Sequence, residues 1–450
     1  MKKLTFTLLF LSSLKTCLLF AQTDPAITSW LRNTTGITGR HYVSGNSTPI
    51  NDAVLANVQS VKYSTDWVYV TTNGIPAYIT GPFLDGNPSL ATTQNGAIFK
   101  FPLHPSQNLG TATATKGGNI GIFKNGVALF DYRDGVAWNN STNSLCGGPG
   151  NSPCPGGPTA TQAWNRDAIP AEKKGFDCAK AHPAMGNYHH HHNPSAFNLD
   201  LLVTSTICDT YPADGLYVIN TNEHSPLLGY TYDGFPIYGA YGYANTDGTG
   251  GIVRMKSGYQ LRNSTTRTNG PAVSATYYLG YFREDYEYIN HPSDPSYLDV
   301  HNGRFCKTPE YPDGIYCYFT TVDVNHNSAY PYVVGPTFYG NVTASKVTSI
   351  SETTTTYSPA LSSADFDNNT LNIKIYPNPA QEFIAIQAEM QTENLDVKLI
   401  DELGKVIQTT KILQGSTLSI VDLTTVYNGI YFVKVASGKD NKTFKIIVNK

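Results

Sequence analysis

Short runs of alternating apolar and polar residues, each closed by a tight-turn dipeptide, recur along this chain and restrict it to a β fold. "DWVYVTTNGIPAYITG" (66–81), "GNIGIFKNGVALFDYRDG" (118–135) and "LLGYTYDGFPIYGAYGY" (227–243) all carry Asn-Gly or Asp-Gly between strand-like segments. Those dipeptides supply the positive φ angles that two-residue hairpins demand. Thirty tyrosines, 39 glycines and 27 prolines push the same way, favouring strands and turns over helices. The expected fold class is mainly β: a loop-rich, disulfide-containing domain followed by a small C-terminal Ig-like sandwich.

At 450 residues the chain is too long for one ordinary core. The segment "SKVTSISETTTTYSPALSSADFDNNT" is Ser/Thr-rich and lacks apolar periodicity, so residues 341–370 read as a linker. Residues 22–340 then form one β-rich domain and 371–450 another. At the N-terminus, Lys2 and Lys3 precede an apolar stretch from Leu4 to Leu14, and Ala21 before Gln22 is a plausible cleavage point. This is the pattern of a secretory signal peptide over residues 1–21. No later stretch approaches the ~20 apolar residues of a membrane span. A net charge of −3 without a basic block argues against nucleic acid as a partner.

With Cys17 removed in the signal peptide, six of the seven cysteines remain, an even count for an oxidising compartment. Six cysteines allow fifteen pairings. Local pairing is the simplest: Cys146 with Cys154, Cys178 with Cys208, and Cys306 with Cys317.

Four of the eleven histidines stand side by side in "GNYHHHHNPSAF" (186–197). In an extended segment His189 and His191 point one way, and His190 and His192 the other. Two imidazoles on one face can converge on a divalent ion such as zinc or copper. A third ligand is then needed: His224 is the first choice, His182 the second, and Asp233 could ligate or orient a ligand. Metal binding at such a site should weaken as pH falls below about 6, because protonated imidazole cannot ligate. A solvated loop, or a metal-free His acid or base beside Asp233, would also account for the run. His41, His104, His291 and His326 show no partner pattern, and His301 fits a turn. The acidic cluster of Glu284, Asp285 and Glu287 reads as solvated. Trp67, Trp138 and Trp164 could serve as stacking platforms, although aromatics more often pack cores.

"NGVALFDY" (125–132) and "DGFPIYGA" (233–240) echo one another, as two related half-domains or as a common way to begin a strand after a turn. No G-x-S-x-G, H-E-x-x-H, P-loop or dinucleotide fingerprint is present, and paired cysteines would leave no thiol nucleophile.

Two resemblances add to this reading. "IYPNPAQEFIAI", "LIDELGKVI" and "NGIYFVKV" in the last 80 residues resemble the C-terminal sorting domain of the type IX secretion system. That likeness implies a Bacteroidetes-type bacterium, the type IX machinery as partner, passage through the periplasm, and a cell-surface or extracellular destination. "NYHHHHNPSAF", "HSPLLGYTYDGFPIYGAYGY" and "HNGRFCKTPEYPDGIYCYFTTVDVNHNSAYPYVVGPTFYG" resemble the YHYH family over roughly 60–340. The family's tetrad falls on Tyr188, His189, His190 and His191, with His190 in place of its second tyrosine. A related tetrad, Tyr316-Cys317-Tyr318-Phe319, lacks both histidines. This likeness implies no particular reaction. The functions in view are divalent-metal binding, adhesion to an extracellular carbohydrate or protein, and metal-dependent hydrolysis or oxidoreduction.

Overall fold

The computed structural model describes residues 24–83, 96–156, 162–184, 186–195, 206–214, 217, 219–358, 373–388, 393–401, 404–437 and 440–450. The expected signal peptide and Cys17 lie outside these residues. The chain forms two compact units that divide between Tyr357 and Ser358.

An eight-stranded sheet organises the first unit. Its strands run, edge to edge, His182–Ala184, Asn187–His190, Ala128–Phe130, Asn119–Phe123, Leu227–Thr231, Pro236–Tyr238, Ile315–Phe319 and Gly303–Cys306. One face packs Ile122, Tyr230, Tyr238 and Phe319 against Val61, Val68, Val70, Phe99 and Phe101, the last five from a five-stranded sheet. The other face buries Phe123, Leu129, Ile237 and Tyr318 against Tyr132, Phe176, Tyr330 and Val333. Burial on both faces accounts for strands such as "LLGYT", in which every residue is buried.

The sheet has an approximate two-fold axis at its centre, where Ile122 pairs with Tyr230, Gly121 with Thr231 and Phe123 with Gly229. Closeness there requires glycine: a Cβ on Gly229 would lie 2.1 Å from the Ile122 carbonyl oxygen, and one on Gly121 2.6 Å from that of Tyr230. On each side a hairpin leads outward to a parallel neighbour, Ala128–Phe130 beside Asn187–His190, and Pro236–Tyr238 beside Ile315–Phe319. Each neighbour is closed by an antiparallel edge strand.

The loops before the edge strands match as well. Asp177 N–H donates to the Ala181 carbonyl at 2.9 Å, as Asp299 N–H does to that of Gly303. Lys180 and Asn302 both take positive φ, 62° and 66°. Tyr188 donates to Asp177 at 2.7 Å, and Tyr316 to Asp299 at 2.8 Å. The echo seen in sequence is therefore the central part of two half-domains. Within this correspondence, His182, His189 and His191 match Arg304, Cys317 and Phe319.

Part of the expected linker belongs to the first unit. Lys346–Val347 pairs with Phe99 and Ile98, and Thr355–Thr356 with Tyr63 and Lys62. Tyr69 donates a hydrogen bond to Glu352. Unpaired edges of the five-stranded sheet recruit these residues despite their polar composition.

In the second unit, Ile373–Tyr376, Phe383–Ala388 and Leu418–Asp422 form one sheet. Val406–Ile412, Leu395–Asp401, Gly429–Ser437 and Asp440–Val448 form the other. Alternate residues of both, including Ile384, Ile386, Val397, Leu399, Val433 and Val435, share one core. The whole chain is mainly β.

Disulfides join Cys146 to Cys154 and Cys178 to Cys208. Cys306 and Cys317 are buried thiols, in contrast to the pairing expected from sequence. In the register Cys306 faces Ile315 and Cys317 faces Arg304, so the two sit diagonally across the strand pair, and the Cys317 thiol donates to the Ile315 carbonyl at 3.5 Å.

Candidate metal centre

The hairpin of His182–Ala184 and Asn187–His190 sets His182 directly opposite His189. Extended geometry carries His191, just past the strand end, to the same face. His189 Nε2 and His191 Nε2 stand 3.0 Å apart. The ligand atoms of His182, His189 and His191 all lie within 4.8 Å of one another.

The tautomers of two of these rings are fixed from behind. His189 Nδ1 lies 2.8 Å from the Asn187 carbonyl oxygen, and His191 Nδ1 2.6 Å from that of Asp131. A carbonyl only accepts, so each Nδ1 carries a hydrogen, and in a neutral ring the Nε2 then turns a lone pair inward. Lone pairs that close repel unless a positive charge, a proton or a metal ion, lies between them. Backbone carbonyls holding the remote nitrogens are the usual outer partners of metal-ligating imidazoles.

The surroundings are apolar. All three rings are buried, Phe130 stacks on His189 at 3.8 Å, and Phe176 lies 5.0 Å from His182. Burial, followed by the nearby His191 and His182, pushes the His189 pKa well below its usual value. Burial opposes charge on His191 too, but Glu172 outweighs it and raises that pKa. Glu172 Oε2 lies 3.2 Å from His182 Nε2 and 3.1 Å from His191 Nε2. Although burial acts to raise the Glu172 carboxyl, the adjoining His182 and His191 imidazoles hold it well below the usual carboxylate range.

Glu172 ends the short helix Ala168–Glu172. Asp167 caps that helix by accepting from Ile169 N–H at 2.9 Å and is itself held by Tyr332 O–H at 2.6 Å. No sequence signal tied this residue to the histidine run.

His190 and His192 occupy the opposite face and are saturated by hydrogen bonds. Both approach the Lys180 carbonyl oxygen, at 3.2 and 3.1 Å. His190 Nε2 meets Tyr78 O–H at 2.9 Å, and His192 Nδ1 meets Ser328 Oγ at 2.6 Å. Burial pushes His190 down to about 3, which keeps it neutral.

The structure separates His224 from this group. It precedes the Leu227–Thr231 strand, three strands from Asn187–His190 across the sheet, or roughly 14 Å at about 4.8 Å per strand. Its Nδ1 lies 2.8 Å from the Ser225 carbonyl, and its ring packs against Tyr238 and Tyr243. Asp233 is also in the other half-domain, where it accepts from Tyr318 O–H at 2.6 Å and Gly340 N–H at 2.9 Å.

The remaining candidates are structural. His41 pairs with Asp52 at 2.7 Å, His326 bonds Tyr241 at 2.8 Å, and His291 stacks on Tyr297. His301 bonds Thr337. Asp285 is buried against Arg267, and the half-buried Glu284 accepts from Asn165, so the three do not form a solvated cluster. Trp138 is buried, Trp164 donates to the Thr268 carbonyl, and Lys100 caps the Trp67 ring.

A β domain with a buried three-histidine centre, joined to a separate β-sandwich, is thus the class of molecule defined. The YHYH protein model matches residues 98–331, just over half the chain, and the chain belongs to that family. The secretion system C-terminal sorting domain matches residues 374–449. That domain indicates export to the cell surface or extracellular space through the type IX machinery. Among the described residues no helix is long and apolar enough to cross a membrane.

No curated protein matches the chain. Among solved structures, the chain aligns with one described as "Structural and functional probing of PorZ, an essential bacterial surface component of the type-IX secretion system of human oral-microbiomic Porphyromonas gingivalis". The alignment covers 91% of this chain and 53% of that chain, at 12% identity and a TM-score of 0.15. The present chain spans about half that protein's length, and so slight a likeness bears on neither fold nor function.

Proposed function

We propose that His182, His189 and His191 bind one divalent transition-metal ion, and that the exported protein works as a metal-binding protein outside the cell. The facing Nε2 atoms of His189 and His191, 3.0 Å apart with both Nδ1 atoms turned to carbonyls, carry this reading. An imidazole set suits zinc or copper, whereas Mg²⁺ and Ca²⁺ take oxygen cages. His182 takes the place expected for His224.

Elemental analysis of tag-free protein tests it. Stoichiometric metal in the native chain is expected, with none in the double variant His189→Ala, His191→Ala. His182→Ala should weaken binding strongly, and His224→Ala should leave it unchanged. Equal metal in native and double-variant protein, or none in either after reconstitution with Zn²⁺ or Cu²⁺, would make the cluster a proton-bridged imidazole group instead.

A further inference from the structure

We infer that Glu172 is the fourth ligand of this centre and the one that yields its place to an incoming anion. The inference rests on the three-histidine reading and goes beyond it by naming the exchangeable position. Glu172 Oε2 lies 3.1 Å from His191 Nε2 and 3.2 Å from His182 Nε2, and His191 Nε2 lies 3.0 Å from His189 Nε2. Metal–ligand bonds of about 2.0–2.1 Å give a tetrahedron with edges of about 3.3 Å. Three donor pairs already stand near that edge length, and the histidine donors, all within 4.8 Å of one another, would draw in around an ion.

The four are not equivalent. The side chains of His182 and His191 are 2% and 3% exposed, whereas that of Glu172 is 23% exposed. The His189 and His191 rings are fixed through Nδ1 on a strand and its immediate extension. Glu172 hangs from the last residue of a five-residue helix and reaches the centre through rotatable side-chain bonds. Part of the Glu172 side chain therefore faces solvent, while its Oε2 and the imidazoles lie inside.

Four protein ligands make a closed, structural type of site, while three ligands and an open position make a reactive one. The Glu172 carboxylate converts one into the other. Swung onto the metal, it closes the sphere; swung out, it frees a position for water, hydroxide or a substrate carboxylate. It then stands beside that position as a base. No bond to carbon is made or broken in this exchange, and one donor replaces another.

Cobalt(II) in tetrahedral coordination has strong visible absorption that responds to each ligand, so the full chain loaded with Co²⁺ supplies the readout. For native protein we expect a four-coordinate spectrum that changes only at high azide concentration. For Glu172→Gln, affinity should fall about ten-fold or more, the range seen when groups supporting a metal site are removed. Its spectrum should shift on azide addition at a much lower concentration. Glu172→Asp, too short by one methylene, should resemble Glu172→Gln while keeping the charge. Far-UV dichroism identical to native would show that each variant folds.

Unchanged affinity and an unchanged azide response in folded Glu172→Gln would overturn the assignment and leave three histidines as the whole site. Failure of the native chain to bind Co²⁺ or Zn²⁺ would remove the metal reading itself. Loss of binding in the histidine double variant alone would keep that reading and reject Glu172.

Discussion

Single side chains explain why this protein carries so many tyrosines. Aspartates withdrawn from solvent recur in its core, Asp167, Asp177 and Asp233 buried and Asp299 half-buried, and buried tyrosines donate to them: Tyr188 to Asp177, Tyr316 to Asp299, Tyr318 to Asp233 and Tyr332 to Asp167. Each ring fills apolar volume while its hydroxyl satisfies an acid that would otherwise be costly to bury. Tyr188→Phe should cost about 1–3 kcal/mol in denaturant unfolding, because it takes one donor from a buried acid and leaves it only backbone N–H partners.

Asp177 also sets a pH dependence. Burial pushes it up to about 7, against donors from Gly81, Tyr188 and Ala181. Its folded pKa lies above the unfolded one, so the folded state holds an extra proton between about pH 4 and 7. Stability contributed by this group is present below that window and lost as pH rises through it. Asp177→Asn should flatten the fall over that range; a slope identical to native would show that Asp177 is ionised throughout.

Strands and hairpins show how far the sequence could be read. Alternation with Asn-Gly and Asp-Gly turns placed the strands around 67–72, 119–130 and 227–238, and the tail's even spacing gave the sandwich. Extended geometry in the histidine run put His189 with His191. The third imidazole was less legible, since choosing it requires the hairpin register. Gly186, at φ 80°, turns the chain so that His182 faces His189, and only that pairing ranks it above His224. Glu172 was beyond reach, because its helix meets the run only through tertiary packing.

At this scale two outcomes follow. Limited proteolysis should first cut beyond Ser358, since the pairings at 346–347 and 355–356 tie the preceding stretch to the first unit. A first cut between Thr343 and Tyr357 would contradict them. Gly229→Ala should lower stability by about 1–3 kcal/mol or more, as overpacking does, because its Cβ would meet the Ile122 carbonyl. An unshifted denaturation midpoint would mean that the central strands can part.

The molecule as a whole combines a YHYH domain with a sorting domain that marks it for export. An oxidising destination bears on the two thiols. Intact-mass measurement of unreduced, alkylated protein should find Cys306 and Cys317 joined after export, leaving no free thiol. Two alkyl adducts would mean that they persist as a dithiol.

The matching half-domains then acquire different dependences on their surroundings. In one, His182 and His189 face each other across the outer hairpin, and a metal ion would fasten it. In the other, the equivalent hairpin carries Cys306 and Cys317, and a covalent bridge would fasten it. Hydrogen exchange should separate the two: a chelator should speed exchange around 182–190 alone, and a reductant around 303–319 alone. If both halves loosen together under either treatment, the sheet transmits the loss across its axis. If they loosen separately, one domain senses two properties of its environment, metal supply at one edge and redox potential at the other.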